Sequence, residues 1–261
     1  MISPESKPWS SSSRSSLGNV ILAINTSTPQ FSLALVNESG ALLAEWTLFP
    51  RTKDFRHFMT ALDHLLDVSG TALEEIRGLA VAKGPGSFTG LRVGLSAAKG
   101  FCEGLGVPIV ALSSLEVLAS QCPVVSIPIC PVIDSRKEEV FAALYTWSEE
   151  QNLVRLEPET CLKIKELPGF IKNKAFVLGT DLNRQMGPIA SAAGDRAVFA
   201  PPSFWSLRAA TLGMLAARRA KAQGFDNVQD IVPSYLRPPD IRPNPFPLAP
   251  SLLAPEGKNT E

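Results

Sequence analysis

A two-part α/β fold is the class this sequence predicts, and three observations carry the prediction. Three β-rich stretches open the folded chain, residues 20–26, 31–36 and 41–48, parted by the turn-formers Ser27-Thr28-Pro29 and Asn37-Glu38-Ser39-Gly40. Helical and strand patterns alternate after them. The same order, three strands and then alternating helices and strands, returns in the second half of the chain. The two halves are placed at 19–123 and 124–232, with a serine-rich extension over 1–18 and a proline-rich tail over 233–261.

Each element has its own signal. The first three strands read as an antiparallel meander. Residues 54–68 (DFRHFMTALDHLLDV) put Phe55, Phe58, Met59, Leu62, Leu65 and Leu66 on one broad helical face. Residues 76–83 (IRGLAVAK) read as a buried strand, and residues 91–102 have apolar or small side chains at helical spacing, at Leu91, Gly94, Leu95, Ala98 and Cys102. A short strand at 107–111 and a helix at 114–121 close the first half. In the second half, strands are expected at 127–133, 140–147 and 153–156, the last being the weakest. A helix at 164–171, a strand at 175–178, a short helix after Asp181, a strand at 197–200 and a long helix over 204–223 follow. This doubled order fits the actin, sugar-kinase and Hsp70 (ASKHA) architecture, in which two ribonuclease-H-like halves face each other.

Composition narrows the function. The 261 residues are 45% hydrophobic, enough for a sizeable core. Lys plus Arg and Asp plus Glu are 25 each, so the chain lacks the basic balance that binding nucleic acid alone normally needs. Cys102, Cys122, Cys130 and Cys161 form no CxxC pair and sit in apolar stretches, which suits buried thiols in a reducing cytoplasm. The serine run before Leu17 has no apolar core, so it reads as a disordered extension, not a secretory signal. No apolar run approaches the roughly 20 residues of a membrane helix. The tail carries seven prolines in residues 238–255 and is expected to be extended.

The most distinctive stretch is Gly84-Pro85-Gly86-Ser87-Phe88-Thr89-Gly90, set between a predicted strand and a small-residue helix. Glycines permit close backbone approach, and Ser87 or Thr89 can cap the first helical turn. Such a loop can hold an anion at the helix start. Yet a Walker loop needs Lys and then Ser or Thr after its last glycine, and Leu91-Arg92 stand there. The dinucleotide pattern fails as well, because Thr89 occupies its third glycine position. A tight strand-to-helix turn and a phosphate loop both remain open on these residues.

Four blocks resemble those of the bacterial TsaB (YeaZ) family: Ile21-Leu22-Ala23-Ile24-Asn25-Thr26-Ser27-Thr28, the glycine loop continued through Leu91-Arg92-Val93-Gly94, Ile133-Asp134-Ser135-Arg136-Lys137-Glu138-Glu139-Val140, and Pro233-Ser234-Tyr235-Leu236-Arg237. The GPGSFTG loop is the family's most specific mark and is matched in full. The resemblance implies a subunit of the machinery that makes N6-threonylcarbamoyladenosine at adenine 37 of tRNAs reading ANN codons. It implies a scaffold: a catalytic paralogue of the same fold carries the metal, and a small P-loop ATPase joins the pair. It further implies tRNA contact mainly through the complex, homodimers on a similar surface, no cofactor of its own, and a possible nucleotide at the interface with the paralogue. The family's partner contact uses the two helices of the first half. Here those supply Phe55, Phe58, Met59, Leu62, Gly90, Leu91, Gly94, Ala97, Ala98 and Phe101. The same small face can instead lie on the chain's own sheet.

The residues also bear on catalysis directly. His57 and His64 are the only histidines, with no HExxH pair and no nearby third ligand. The first strand ends in Asn25, where nucleotide-hydrolysing relatives, and usually this family too, have an aspartate; an amide lacks the charge that holds magnesium. Asp134, with Arg136 beside it, is the best remaining carboxylate of a residual cleft, or else a turn-capping residue. The alternatives weighed are a stand-alone ATP-binding enzyme of the superfamily and a metallopeptidase. Arg208, Arg218, Arg219 and Lys221 are either a local basic patch or a solvated helix face.

Overall fold

The computed structural model describes residues 19–49, 57–136 and 138–237. The serine-rich start, the tail beyond Arg237, Lys137, and Asp54 and Phe55 of the first predicted helix lie outside the described residues.

Two five-stranded mixed sheets share one topology. The first is ordered β3-β2-β1-β4-β5, from β1 (Val20–Asn25), β2 (Phe31–Asn37), β3 (Leu42–Leu48), β4 (Ile76–Ala82) and β5 (Ile109–Leu112). The second is ordered β10-β9-β6-β7-β8, from β6 (Ile129–Asp134), β7 (Glu139–Trp147), β8 (Leu153–Lys163), β9 (Ala175–Leu178) and β10 (Ala197–Phe199). In each, the three-strand meander is antiparallel and the last two strands join parallel to its first. Strand β1 is buried along its whole length because helices cover both faces, and so VILAIN reads as a continuous apolar run without alternation.

Helices α1 (Phe58–Ser69) and α2 (Phe88–Leu105) cover the outer face of the first sheet, burying Val20, Leu22, Ile24, Leu33 and Leu35 against Leu62, Leu65, Leu95 and Ala98. Helices α4 (Leu167–Ile171) and α5 (Leu182–Ala193) cover the outer face of the second around Val132, Val177 and Ile189.

The inner faces are covered crosswise. Helix α3 (Ser114–Ser120), which follows the first sheet in sequence, packs on β6, β7 and β8 of the second. Helix α6 (Ala209–Gln223), which follows the second sheet, packs on β1 and β2 of the first. The largest core cluster therefore draws on both halves, with Ile21, Ala23, Val36, Leu115, Leu118, Ile133, Phe141 and Leu212 in one contiguous group. Small residues let α6 lie close: a Cβ on Gly213 would stand 2.7 Å from Val36 Cγ2 and 3.2 Å from Ala23 Cβ.

Helix α2 runs past the expected 91–102 at both ends and α5, expected to be short, has 12 residues, while three further elements differ more. Strand β8 runs to Lys163, not residue 156, passing Pro158, which an edge strand tolerates; the β7 pairing shifts register between Ala142 and Tyr145, opposite the proline. Helix α6 begins at Ala209, not residue 204. The preceding backbone is claimed by side chains: Ser206 O accepts from Gln121 Nε2, Arg208 N donates to Gln121 Oε1, and Leu207 O accepts from Asn25 Nδ2. The predicted helix over 164–171 opens as a 3₁₀ turn at Ile164–Glu166. No helix among the described residues is long and apolar enough to cross a membrane.

Candidate functional site

The glycine loop joins β4 to α2 and lies directly on the turn between β1 and β2. Ser87 is the N-cap of α2: its Oγ accepts from Gly90 N at 3.3 Å. Its own amide donates to Ser27 O at 2.7 Å, and Thr26 Oγ1 donates to Gly90 O at 2.7 Å. A Cβ on Gly86 would fall 2.1 Å from Ser27 O, one on Gly90 1.9 Å from Thr26 O, and one on Gly94 2.2 Å from Thr26 Oγ1. The glycines are needed for this backbone contact within the chain. Of the two readings left open by the sequence, the geometry favours the packing turn, because Thr26 and Ser27 occupy the space against the loop.

Asn25 is the centre of that contact. It is fully buried, and both ends of its amide are used: Oδ1 accepts from Ser27 N at 3.0 Å and Ser27 Oγ at 2.8 Å, while Nδ2 donates to Thr28 Oγ1 at 3.1 Å, Leu207 O at 3.2 Å and Ser32 Oγ at 3.4 Å. Ser114 Oγ of α3 donates to Ser27 Oγ at 2.8 Å. The turn is thus a polar knot tying the glycine loop, α3 and the lead into α6. An aspartate at 25 would aim a carboxylate at the Leu207 carbonyl and lose the donating end. Thr26, Ser27 and Thr28 are buried with Asn25, and their hydroxyls are used within the chain, Thr26 on Gly90 O, Ser27 on Asn25 Oδ1 and Thr28 on Gln30 O.

Asp134 ends β6, half-buried, with Arg184 Nε 3.1 Å away. Burial pushes its carboxyl above the usual range, opposed by Gln185 beside it and by the Arg184 guanidinium. The expected neighbour Arg136 is exposed, and Arg184 of α5 pairs with Asp134. Asn25 and Asp134 end the first strands of the two sheets, β1 and β6, and each is held by its own set of partners. Between the halves, Gln30 Nε2 donates to Thr180 O, while Gln30 Oε1 and Thr180 Oγ1 are buried without a partner.

The helix pair divides into a buried and an open face. Phe58, Leu62, Gly90, Leu91, Gly94 and Ala98 face the chain's own core, Phe58 stacking between Phe31 and Phe101 at 5.4 and 6.3 Å. Those six are not presented to a partner. Met59 is exposed, Ala97 and Phe101 are half-buried, and Phe55 lies outside the described residues. The open side of α2 is Val93, Ser96, Ala97, Gly100 and Gly104, and a Cβ at either of the last two would meet nothing within 4 Å. These residues lie across the helix from Leu91, Leu95, Ala98 and Cys102, so the same periodicity that marks the buried stripe marks them too.

At the start of α2, exposed Phe88 and Tyr235 stand with ring centroids 5.2 Å apart. The Arg92 guanidinium lies 3.9 Å from the Phe88 centroid, and its Nε donates to Tyr235 Oη at 3.2 Å. The fourth sequence block thereby returns to the first half, where Ser234 N donates to Lys83 O at 2.7 Å.

Other candidates are dispersed. His57 and His64 are both exposed, and among the described residues no three His, Cys, Asp or Glu side chains converge as metal ligands. Burial pushes the Cys102 thiol up to about 11 and those of Cys122 and Cys130 to about 12. The arginines of the possible basic patch are engaged: Arg208 with Glu45, Arg218 with Asn152 and Arg219 with Asp226.

Two sheets of identical strand order, facing each other across α3 and α6, define a two-lobed α/β protein of the ASKHA class. The family model for TsaD, tRNA N6-adenosine threonylcarbamoyltransferase, matches residues 54–242. The tRNA threonylcarbamoyladenosine biosynthesis protein TsaB of Bacillus subtilis is 30% identical over 225 residues, covering 83% of this chain and 93% of its own length. Its namesake in Escherichia coli is 35% identical over 147 residues, 53% of this chain and 63% of its own. The solved structure of YeaZ from Pseudomonas aeruginosa superposes with a TM-score of 0.66 at 24% identity, over 84% of this chain and all of that one, a likeness of fold. The chain belongs to the TsaB (YeaZ) family, as its four sequence blocks imply.

Proposed function

We propose that this chain is the non-catalytic, activating subunit of the cytoplasmic assembly that transfers a threonylcarbamoyl group to N6 of adenine 37 in tRNAs reading ANN codons. It acts by pairing with a catalytic paralogue of the same fold, a small P-loop ATPase joins them, and tRNA is held mainly through the complex. The carrying observation is the polar knot at Asn25. Where an ATP-using member of the class needs a carboxylate and free backbone amides, this chain has an internally satisfied amide roofed by the glycine loop. The names of its TsaB relatives support the pathway. Any nucleotide of the assembly belongs at the interface with the paralogue.

The docking face is the open side of α2 with Met59 of α1, where Gly100 and Gly104 allow a second helix to approach closely. A large substitution at Gly94 would test folding, because that residue abuts Thr26. Gly100→Arg tests association. Threonylcarbamoyl incorporation into an ANN-decoding tRNA by the paralogue and ATPase is expected to depend on this chain, and to be absent with this chain alone. A Gly100→Arg chain is expected to keep its melting temperature and lose both the stimulation and co-elution with the paralogue. Full incorporation in the absence of the chain would overturn the reading.

A further inference from the structure

A cleft of about 420 Å³ lies beside Gly84, at the carboxyl ends of the parallel strands β4 and β5. Open α/β sheets place their ligands at that edge. The cleft is lined from both halves: Lys83 and Ser113 from the first sheet's strand ends, Glu116 from α3, Arg155 and Glu159 from β8, and Arg219 from α6. Its volume falls in the range of small-molecule sites.

The charged groups there divide into those already engaged and those not. Arg219 is paired with Asp226 and donates to Ala111 O at 3.0 Å. Glu159 accepts from Ser113 Oγ and from Tyr145 Oη, the latter at 3.4 Å. The Lys83 ammonium, the Arg155 guanidinium and the Glu116 carboxyl have neither an ion pair within 4.0 Å nor a hydrogen-bond partner among the described residues. They are nevertheless close enough to feel one another: burial and Glu159 push the Glu116 carboxyl up, while Arg219, Arg155 and Lys83 pull it down. The Lys83 backbone is also fixed, its amide on Leu112 O at 2.9 Å and its carbonyl taken by Ser234 N at 2.7 Å. A rigidly based lysine and an arginine from the opposite half, neither in an ion pair within 4.0 Å, face a cleft whose remaining unpaired charged group is a carboxyl.

We propose that this cleft binds a small oxyanion bearing a hydrogen-bond donor, its carboxylate or phosphate held between Lys83 and Arg155 and its donor turned to Glu116. Two cations converging on one oxyanion give charge-assisted bonds stronger than neutral ones. The site is separate from the partner face on α2 and does not depend on the proposed role in tRNA modification.

The test is calorimetric titration of the full chain with inorganic phosphate and, separately, with L-malate, which carries carboxylates and a hydroxyl without phosphorus. Saturable one-site heat with phosphate, malate or both is expected, and which of them binds names the source of the oxyanion. In a Lys83→Met/Arg155→Met chain, which removes charge without breaking any ion pair or hydrogen bond described above, the affinity is expected to fall about tenfold or more. Circular dichroism and the melting temperature of that variant report its folding, and Glu74→Gln on the far side serves as a charge-change control expected to bind as the parent does. No saturable heat with either probe overturns the proposal, as does heat that persists unchanged in the folded double variant.

Discussion

Asn25 does with an amide what an aspartate could not do in the same place. Its donating end holds Leu207 O and two hydroxyls, and its accepting end holds Ser27 twice, so a carboxylate there loses the bond to Leu207 O, faces that carbonyl, and keeps the hydroxyls only if they turn from their own acceptors. Asn25→Asp is therefore expected to destabilise the protein by about 3 kcal/mol at neutral pH. Burial raises a carboxyl above its unfolded value of about 3.9, so the protonated form is favoured in the folded state. The deficit should shrink as pH falls towards about 4 and grow as pH rises through the folded-state value. Urea unfolding midpoints across that range check the sign; a deficit independent of pH would mean the carboxylate finds other partners. The glycines of α2 separate in the same way. Gly90→Ala drives a Cβ into the Thr26 carbonyl and is expected to cost about 3 kcal/mol. Gly100→Ala, with open space around it, is expected to gain about 0.5–1 kcal/mol from helix propensity.

Among the elements, those with a regular pattern of burial were legible in the sequence. Strands β1, β4 and β7 are apolar runs because both faces are covered, and α1 and α2 show a buried stripe every three to four residues. Strand β8 hid its second half because its exposed positions are polar and Pro158 interrupts it, and only pairing with β7 carries it on to Lys163. The start of α6 was hidden for another reason: Gln121 and Asn25 capture the backbone of residues 206–208, and neither is near in sequence. The small-residue stripe of α2 is visible in the sequence as a face for close packing, and the sequence leaves open whether a partner or the chain itself fills it. Gly90 and Gly94 meet Thr26, more than sixty residues upstream, a contact no local pattern encodes. The opposite stripe through Gly100 is the one left open, which moves the expected partner surface round the helix.

For the molecule as a whole, the crossing of α3 and α6 decides how the halves depend on each other. Each sheet has its inner face covered by a helix from the other half, and the shared cluster joins Ile21 and Val36 to Leu115 and Leu212. A chain of residues 19–123 alone would leave the inner face of β1 and β2 bare. It is expected to be unfolded or aggregated when expressed without the rest, while the full chain unfolds in a single denaturant transition. Two well-separated transitions would show instead that the halves are autonomous. The strand order of each half was readable from its meander and alternating helices, but the exchange of helices was not, because α3 and α6 look in sequence like ordinary continuations of the sheets they follow. That exchange also sets an order of events during synthesis. Strand β5 leaves the ribosome roughly a hundred residues ahead of the end of α6, so at about 5–20 residues per second the first sheet waits on the order of ten seconds for its cover. Throughout that interval Ile21, Ala23, Ala34 and Val36 form an apolar surface that a chaperone must shield or a slowed ribosome will leave exposed to aggregation.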